Sequence, residues 1–242
     1  MIANARSSSC CRGMEGIAMP PENKRLNIEA SSSNPLSAIA DAFEDLSNLI
    51  INHQIHHHHH HDHECFRLRL DTFSEACSLI SFLFGCLGLA FKFAECEYVS
   101  KVHNLIEASK THETLHSMLD CDVANHTVKT SGSNSRNLRR VRQGLDLIRA
   151  LFEQFLSNDD YYLKGAASTA YAQVCAPYHS WAIRTAVAAG MYALPTREQL
   201  LLKLNETNQS AENKMRRYIT ASIPIIEYID KLYISRNIKL DW

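Results

Sequence analysis

The chain has little glycine or proline, eight and six among 242 residues. A sheet protein needs such residues at most chain reversals, so their scarcity argues against a many-stranded fold. No segment alternates apolar and polar residues with period two. No apolar run approaches the ~18 residues of a membrane-spanning helix. The first twelve residues lack the apolar stretch of a secretory signal. They contain Ser and Arg but few acids, a composition faintly like that of a transit peptide. Net charge is −1, so no global field draws the protein to nucleic acid or an anionic bilayer. Cysteine is present eight times but never as CxxC. Most cysteines fall in apolar helical stretches, as buried reduced thiols of a cytosolic protein do. No Ser or Cys nucleophile with a His and an acid partner emerges, so the chain reads as no enzyme. Nothing points to a cofactor.

What is present is helical periodicity. Hydrophobic residues make up 45% of the chain, enough for a sizeable core. Residues 1–34 carry no sustained pattern and read as a disordered tail. Ser33-Asn34-Pro35 is a helix-start signal, and Leu36, Ile39, Phe43, Leu46 and Leu49-Ile50 follow at helical spacing. Residues 52–65 hold a histidine-rich run, His53, His56 to His61 and His63, read as a low-complexity loop insertion. Imidazole chelation of a metal is its functional alternative. Phe73, Cys77, Ile80, Phe84 and Leu87 then predict one helix, bent or interrupted at Gly85 and Gly88. Phe91 to Ile106, a shorter, more polar helix over 109–128, and Leu138 to Phe155 follow. Residues 164–192 predict a long helix kinked by Pro177. Pro195 opens another through Leu204, and Ser210 to Arg236 forms the last, bent at Pro224. The sum is an all-α chain of about eight helices in one domain from residue 35 to 242.

Charge is arranged more pointedly. Glu97 and Lys101 stand four residues apart, as do Arg136 and Arg140, so each pair shares one helix face. Facing each other, the two helices would gather three cations and one carboxylate at one spot. That is a site for a phosphate with an amide or hydroxyl nearby. The apolar surroundings point to a lipid phosphate. Within residues 136–149 five arginines stand against Asp146 alone. A solvated charged face is the plain alternative. A nucleic-acid surface is disfavoured, because no stacking aromatics interleave the arginines.

The stretches 76–88, 92–95, 135–146, 171–184 and 190–197, with the final Asp241-Trp242, resemble the glycolipid transfer protein superfamily. The likeness is greatest to its plant accelerated-cell-death branch, whose members bind ceramide-1-phosphate. It covers residues 35–242, with the histidine-rich run as an insertion. It implies a two-layer helical sandwich enclosing a lipid pocket. It also implies that Lys101, Arg136 and Arg140 hold the phosphate and that His179 bonds the acyl carbonyl. Glu97 stands where the family has Asp to hold the sphingoid amide and hydroxyl. Ser180 replaces a Gly. In the sugar-binding branch a Trp stands at the position of Arg140 and an Asn at that of Lys101, so the resemblance implies phosphate rather than sugar.

Trp181 matches a Trp that touches the membrane near the pocket entrance, although packing beside His179 is an alternative. Trp242 is expected to pack against the fold. Candidates for the tail pocket are Phe73, Ile80, Phe84, Leu87, Phe91, Val141, Leu145, Phe152 and Phe155, each equally a core residue. The implied function is non-vesicular transfer of ceramide-1-phosphate or phytoceramide-1-phosphate by a cytosolic carrier. It would touch membranes transiently, and the resemblance adds a role in restraining plant cell death and defence. The rival is a lipid-gated adaptor acting on a protein partner.

Overall fold

The computed structural model describes residues 34–56, 66–88 and 91–242. The tail expected at 1–33 and the centre of the histidine-rich run, 57–65, lie outside the described residues. Among the described residues are ten α-helices and no strand. They are α1 (Pro35–His56), α2 (Leu70–Leu79), α3 (Ser81–Cys86), α4 (Lys92–Ala108), α5 (Leu115–Ala124), α6 (Asn134–Ser157), α7 (Lys164–Val174), α8 (Trp181–Gly190), α9 (Arg197–Leu204) and α10 (Asn208–Ile234). The insertion expected from residue 52 starts later, since α1 continues through His56.

Two breaks separate ten helices from the expected eight. The first falls at Ile80, not at the glycines. Ile80 N–H bonds Cys77 O, three residues back, in place of the α-helical partner. Ser78 and Ser81 donate their hydroxyls to Glu75 O and Ser78 O, both at 2.6 Å. Such back-bonding competes with the helical ladder. Gly88, at φ 91°, serves the turn after α3. The second break is at Pro177, which ends a helix rather than kinking one. Proline lacks an N–H and disfavours helix in the residue before it. The chain makes a 3-10 turn at Ala176–Tyr178, leaves His179 extended, and restarts α8 on Ser180, whose hydroxyl accepts from Ile183 N. A short 3-10 turn, Met191–Ala193, follows α8. By contrast, Pro224 lies inside α10, which runs through it as one helix.

Capping residues set the remaining ends. Reciprocal side-chain caps start α5 at Thr114 and Ser117, α9 at Thr196 and Gln199, and α10 at Thr207 and Ser210. Ser133 caps α6.

The helices form a two-layer sandwich in which α1 packs on α2 and α10, α2 on α4, and α6 on α4 and α10. The ring so closed encloses Phe43, Phe73, Phe152, Phe155, Tyr218 and Tyr233. Tyr218 lies edge-on to Phe43 and Phe152, at 4.9 and 5.6 Å between centroids, and its hydroxyl donates to Leu145 O at 3.0 Å. Tyr218→Phe is expected to cost about 1 kcal/mol by removing that bond, read as a lower urea midpoint with unchanged slope. Trp242 packs on this core beside Tyr233, as expected. On its other side α6 carries α7. A second, smaller apolar cluster forms there, with Leu87, Ala150, Leu151, Ala166, Ala167, Ala170 and Met191.

Candidate functional site

α4 and α6 approach closely at Gly144. A Cβ there would lie 2.5 Å from the Tyr98 ring. Tyr98 is itself fixed, because its hydroxyl donates to Cys77 O at 3.0 Å and its ring lies 5.0 Å from Phe84. Glu97 precedes Tyr98, and Arg140 is one helical turn before Gly144. The crossing therefore brings the α4 pair toward the α6 pair. Glu97 bridges Lys101 at 3.1 Å. Burial lowers the Arg140 pKa first, the positive charges of Arg136 and Arg139 lower it further, and Glu97 opposes them. These four cations and one carboxylate form one electrostatic neighbourhood, in which Lys101 takes part through Glu97.

The arginines of α6 sort by partner. Arg142 binds Asp230 at 2.9 and 2.5 Å and Asp146 at 2.6 Å. Arg149 binds Asp146 and Glu153, each at 2.6 Å. Arg139 is 2% exposed, donates to Leu240 O at 3.0 Å and lies 3.9 Å from Asp230. Only neutral oxygens hold the other two. Arg136 donates to Lys129 O at 2.8 Å, and Arg140 to Gln143 Oε1 at 2.6 Å. Among the described residues, neither has a carboxylate partner. The plain reading of a solvated charged face is thus replaced by a partitioned one. Asp146 is not the sole balance, since Asp230 and Glu153 share it.

His179 stands beside this group. The Arg140 charge and, more strongly, burial lower its pKa. Burial also raises that of Tyr171. The ring is therefore neutral at neutral pH and the phenol keeps its proton. Tyr171 Oη lies 2.8 Å from His179 Nδ1. When the hydroxyl donates to Nδ1, the ring's own proton sits on Nε2. In that tautomer His179 presents an N–H donor on its far edge. Extended backbone at His179, created by the Pro177 break, lets the ring turn back to α7.

Tyr171 also lines an apolar seam between α6 and α7, with Phe84, Leu87, Phe91, Leu147, Leu151 and Met191. The seam encloses about 20 Å³, room for about one water and not for a hydrocarbon chain. Of the nine tail-pocket candidates, Phe84, Leu87 and Phe91 line it. Phe73, Ile80, Val141, Leu145, Phe152 and Phe155 belong to the main core alone, whereas Phe84 belongs to that core as well as to the seam. The small residues Ala167 and Ala170, which also line the seam, and Gln143 were missed. Alanine fits every helical environment, and a lone Gln carries no sequence signal.

Trp181 is 74% exposed at the start of α8, so it does not pack beside His179. No residue of α8 is buried. Five described cysteines are free: Cys77, Cys86 and Cys175 are buried as expected, whereas Cys96 and Cys121 are exposed. No metal-binding group of His, Cys, Asp or Glu occurs among the described residues, and none of their helices is long and apolar enough to cross a membrane.

The profile of the glycolipid transfer protein family matches residues 68–206. An Arabidopsis thaliana protein described as ACD11 homolog protein is 65% identical over 221 residues, 91% of this chain and 94% of its own. The rat ceramide-1-phosphate transfer protein is 27% identical over 178 residues, 66% of this chain and 81% of its own. The crystal structure of an Arabidopsis accelerated-cell-death 11 mutant, complexed with C12 ceramide-1-phosphate, is 44% identical. It superposes with a TM-score of 0.80 over 87% of this chain and 100% of the other. By profile, sequence and fold, the chain belongs to the glycolipid transfer protein family.

Proposed function

We propose that the protein carries ceramide-1-phosphate, or its phyto-form, between membranes without vesicles. The carrier domain runs from residue 35 to 242. The observation that supports this most is the pair Arg136 and Arg140, which bond no carboxylate among the described residues and stand near Glu97 and His179 at the end of an apolar seam. Two guanidinium forks suit a phosphomonoester, which carries about −1.5 to −2 charges near neutral pH, and Lys101 adds a compact third cation. Glu97 accepts from the sphingoid amide and hydroxyl. His179 Nε2–H donates to the acyl carbonyl. A neutral sugar head would leave the cations unpaired and partly desolvated, which selects against it.

The tails set the need for a carrier. Each CH₂ kept from water is worth about 0.8 kcal/mol, so a bare ceramide leaves a bilayer slowly. Parting α6 from α7 gives the tails an environment comparable to the bilayer. Trp181 and the exposed face of α8 make the transient membrane contact, as Trp favours that interface. The carrier works from the cytosol, and no bond is made or broken. Likeness to the relative called accelerated cell death 11 supports a role in restraining plant cell death and defence.

The test is transfer of fluorescent ceramide-1-phosphate between vesicles, with glucosylceramide alongside. Transfer of the phosphate lipid alone is expected. Equal transfer of both would overturn the selectivity, and transfer of neither the function. Tyr171→Phe removes the donor that fixes the His179 tautomer and is expected to weaken uptake about threefold to tenfold. Imidazole nitrogen shifts should show the Nδ1–H form gaining population in that variant.

A further inference from the structure

One face of α6 passes through Arg136, Arg140, Gln143, Leu147 and Leu151, at steps of 4, 3, 4 and 4 residues. Its character changes along its length. The first two residues are the cations without carboxylates, and the last two line the apolar seam. Gln143 sits at the junction.

Gln143 is 5% exposed. Its contact with Arg140 Nη1, at 2.6 Å, must be made through Oε1, because a guanidinium only donates. That fixes the amide and turns Nε2 away. Nε2 is buried and has no hydrogen-bond partner among the described residues. A buried amide donor left without an acceptor is costly, and a folded protein keeps one where something else satisfies it. The choice of an amide is itself informative. Arg149 is held from three residues away by Asp146, and Arg142 by Asp146 and Asp230. Those carboxylates neutralise what they orient. At the same three-residue spacing Arg140 has a neutral acceptor, which orients the guanidinium and leaves its charge available.

We propose that Gln143 determines head-group specificity: its carbonyl oxygen holds Arg140 without neutralising it, and its amide N–H group donates to the same lipid phosphate. The inference rests on the carrier reading above. Nε2 is covered while the seam is shut. Parting α6 from α7 to admit the tails opens the seam at Leu147, one turn away, and lets a phosphate oxygen on Arg140 reach the amide.

The test compares Gln143→Glu and Gln143→Met with wild type in uptake of fluorescent ceramide-1-phosphate from vesicles. Glu has the shape of Gln and still accepts from Arg140. It cancels that charge and puts an anion where the N–H group stood. Uptake by Gln143→Glu is expected to fall at least about thirtyfold, with a melting temperature equal to or above that of wild type. A purely orienting role would be served as well by Glu as by Gln. Met removes donor and acceptor without adding charge, and a loss of about tenfold is expected. Uptake by either folded variant within about threefold of wild type overturns the proposal and leaves the carrier reading standing. A wild-type protein that takes up no ceramide-1-phosphate overturns both.

Discussion

Arg140→Glu is expected to abolish uptake of ceramide-1-phosphate while the protein stays folded. The guanidinium is half-buried, its one hydrogen bond among the described residues goes to a neutral amide, and burial, then Arg136 and Arg139, depress its pKa. Reversing its charge removes a fork from the phosphate and sets an anion beside a group of the same sign. Losing one partner of a desolvated charge pair costs about 2–5 kcal/mol, roughly 30-fold to several-thousand-fold in affinity. The new carboxylate has Arg136 and Arg139 as neighbours, so stability should change by less than about 1 kcal/mol. Arg140→Lys keeps the charge but loses the planar fork and should fall between the two. Vesicle transfer and thermal melting on the same samples check both halves. Arg140→Glu protein that transfers the lipid normally would remove the phosphate role from α6.

Gly144→Ala carries the second large effect, and it acts through position rather than chemistry. Alanine is the better helix former by about 1 kcal/mol, so an open site would gain stability. Here the added methyl meets the Tyr98 ring at 2.5 Å. Tyr98 has no room to swing away, being buried, bonded to Cys77 O and packed on Phe84. The helices themselves must separate. Overpacking of this kind costs about 1–3 kcal/mol, enough to outweigh the propensity gain. Separation also draws Glu97 and Lys101 from Arg136 and Arg140, so lipid uptake should fall beyond what the lost stability explains. Tyr98→Leu in the same chain makes space and should restore part of the uptake. A Gly144→Ala protein as stable as wild type with full uptake would show that the crossing does not set the site.

The charged residues of the candidate site were legible as two pairs because helical periodicity is strict. Glu97 with Lys101, and Arg136 with Arg140, needed only a spacing of four to be placed on single faces. The helix through Leu138 to Phe155 was equally plain, its apolar positions repeating without interruption. The partners of charged groups were not legible. Asp230 reaches Arg142 across 88 positions of sequence, and no local pattern anticipates such a pairing. Breaks were misplaced for a related reason. Gly85 carries the weaker propensity, yet two serine hydroxyls competing for backbone carbonyls ended the helix at Ile80. Phe152 and Phe84 look alike in a periodic stripe. Only the packing around α6 places Phe152 in the main core alone and Phe84 in both the core and the seam.

That division has a consequence for how an unloaded molecule survives. The aromatic interior inside the ring of α1, α2, α4, α6 and α10 is interlocked by bulky rings. The α6–α7 contact is lined partly by alanines, whose methyls interlock little. Opening therefore exacts little from the α7 side of α6 and touches the main core at Phe84 and Ile148, which belong to both. With the seam closed its walls meet, hiding grease that would otherwise glue one molecule to the next.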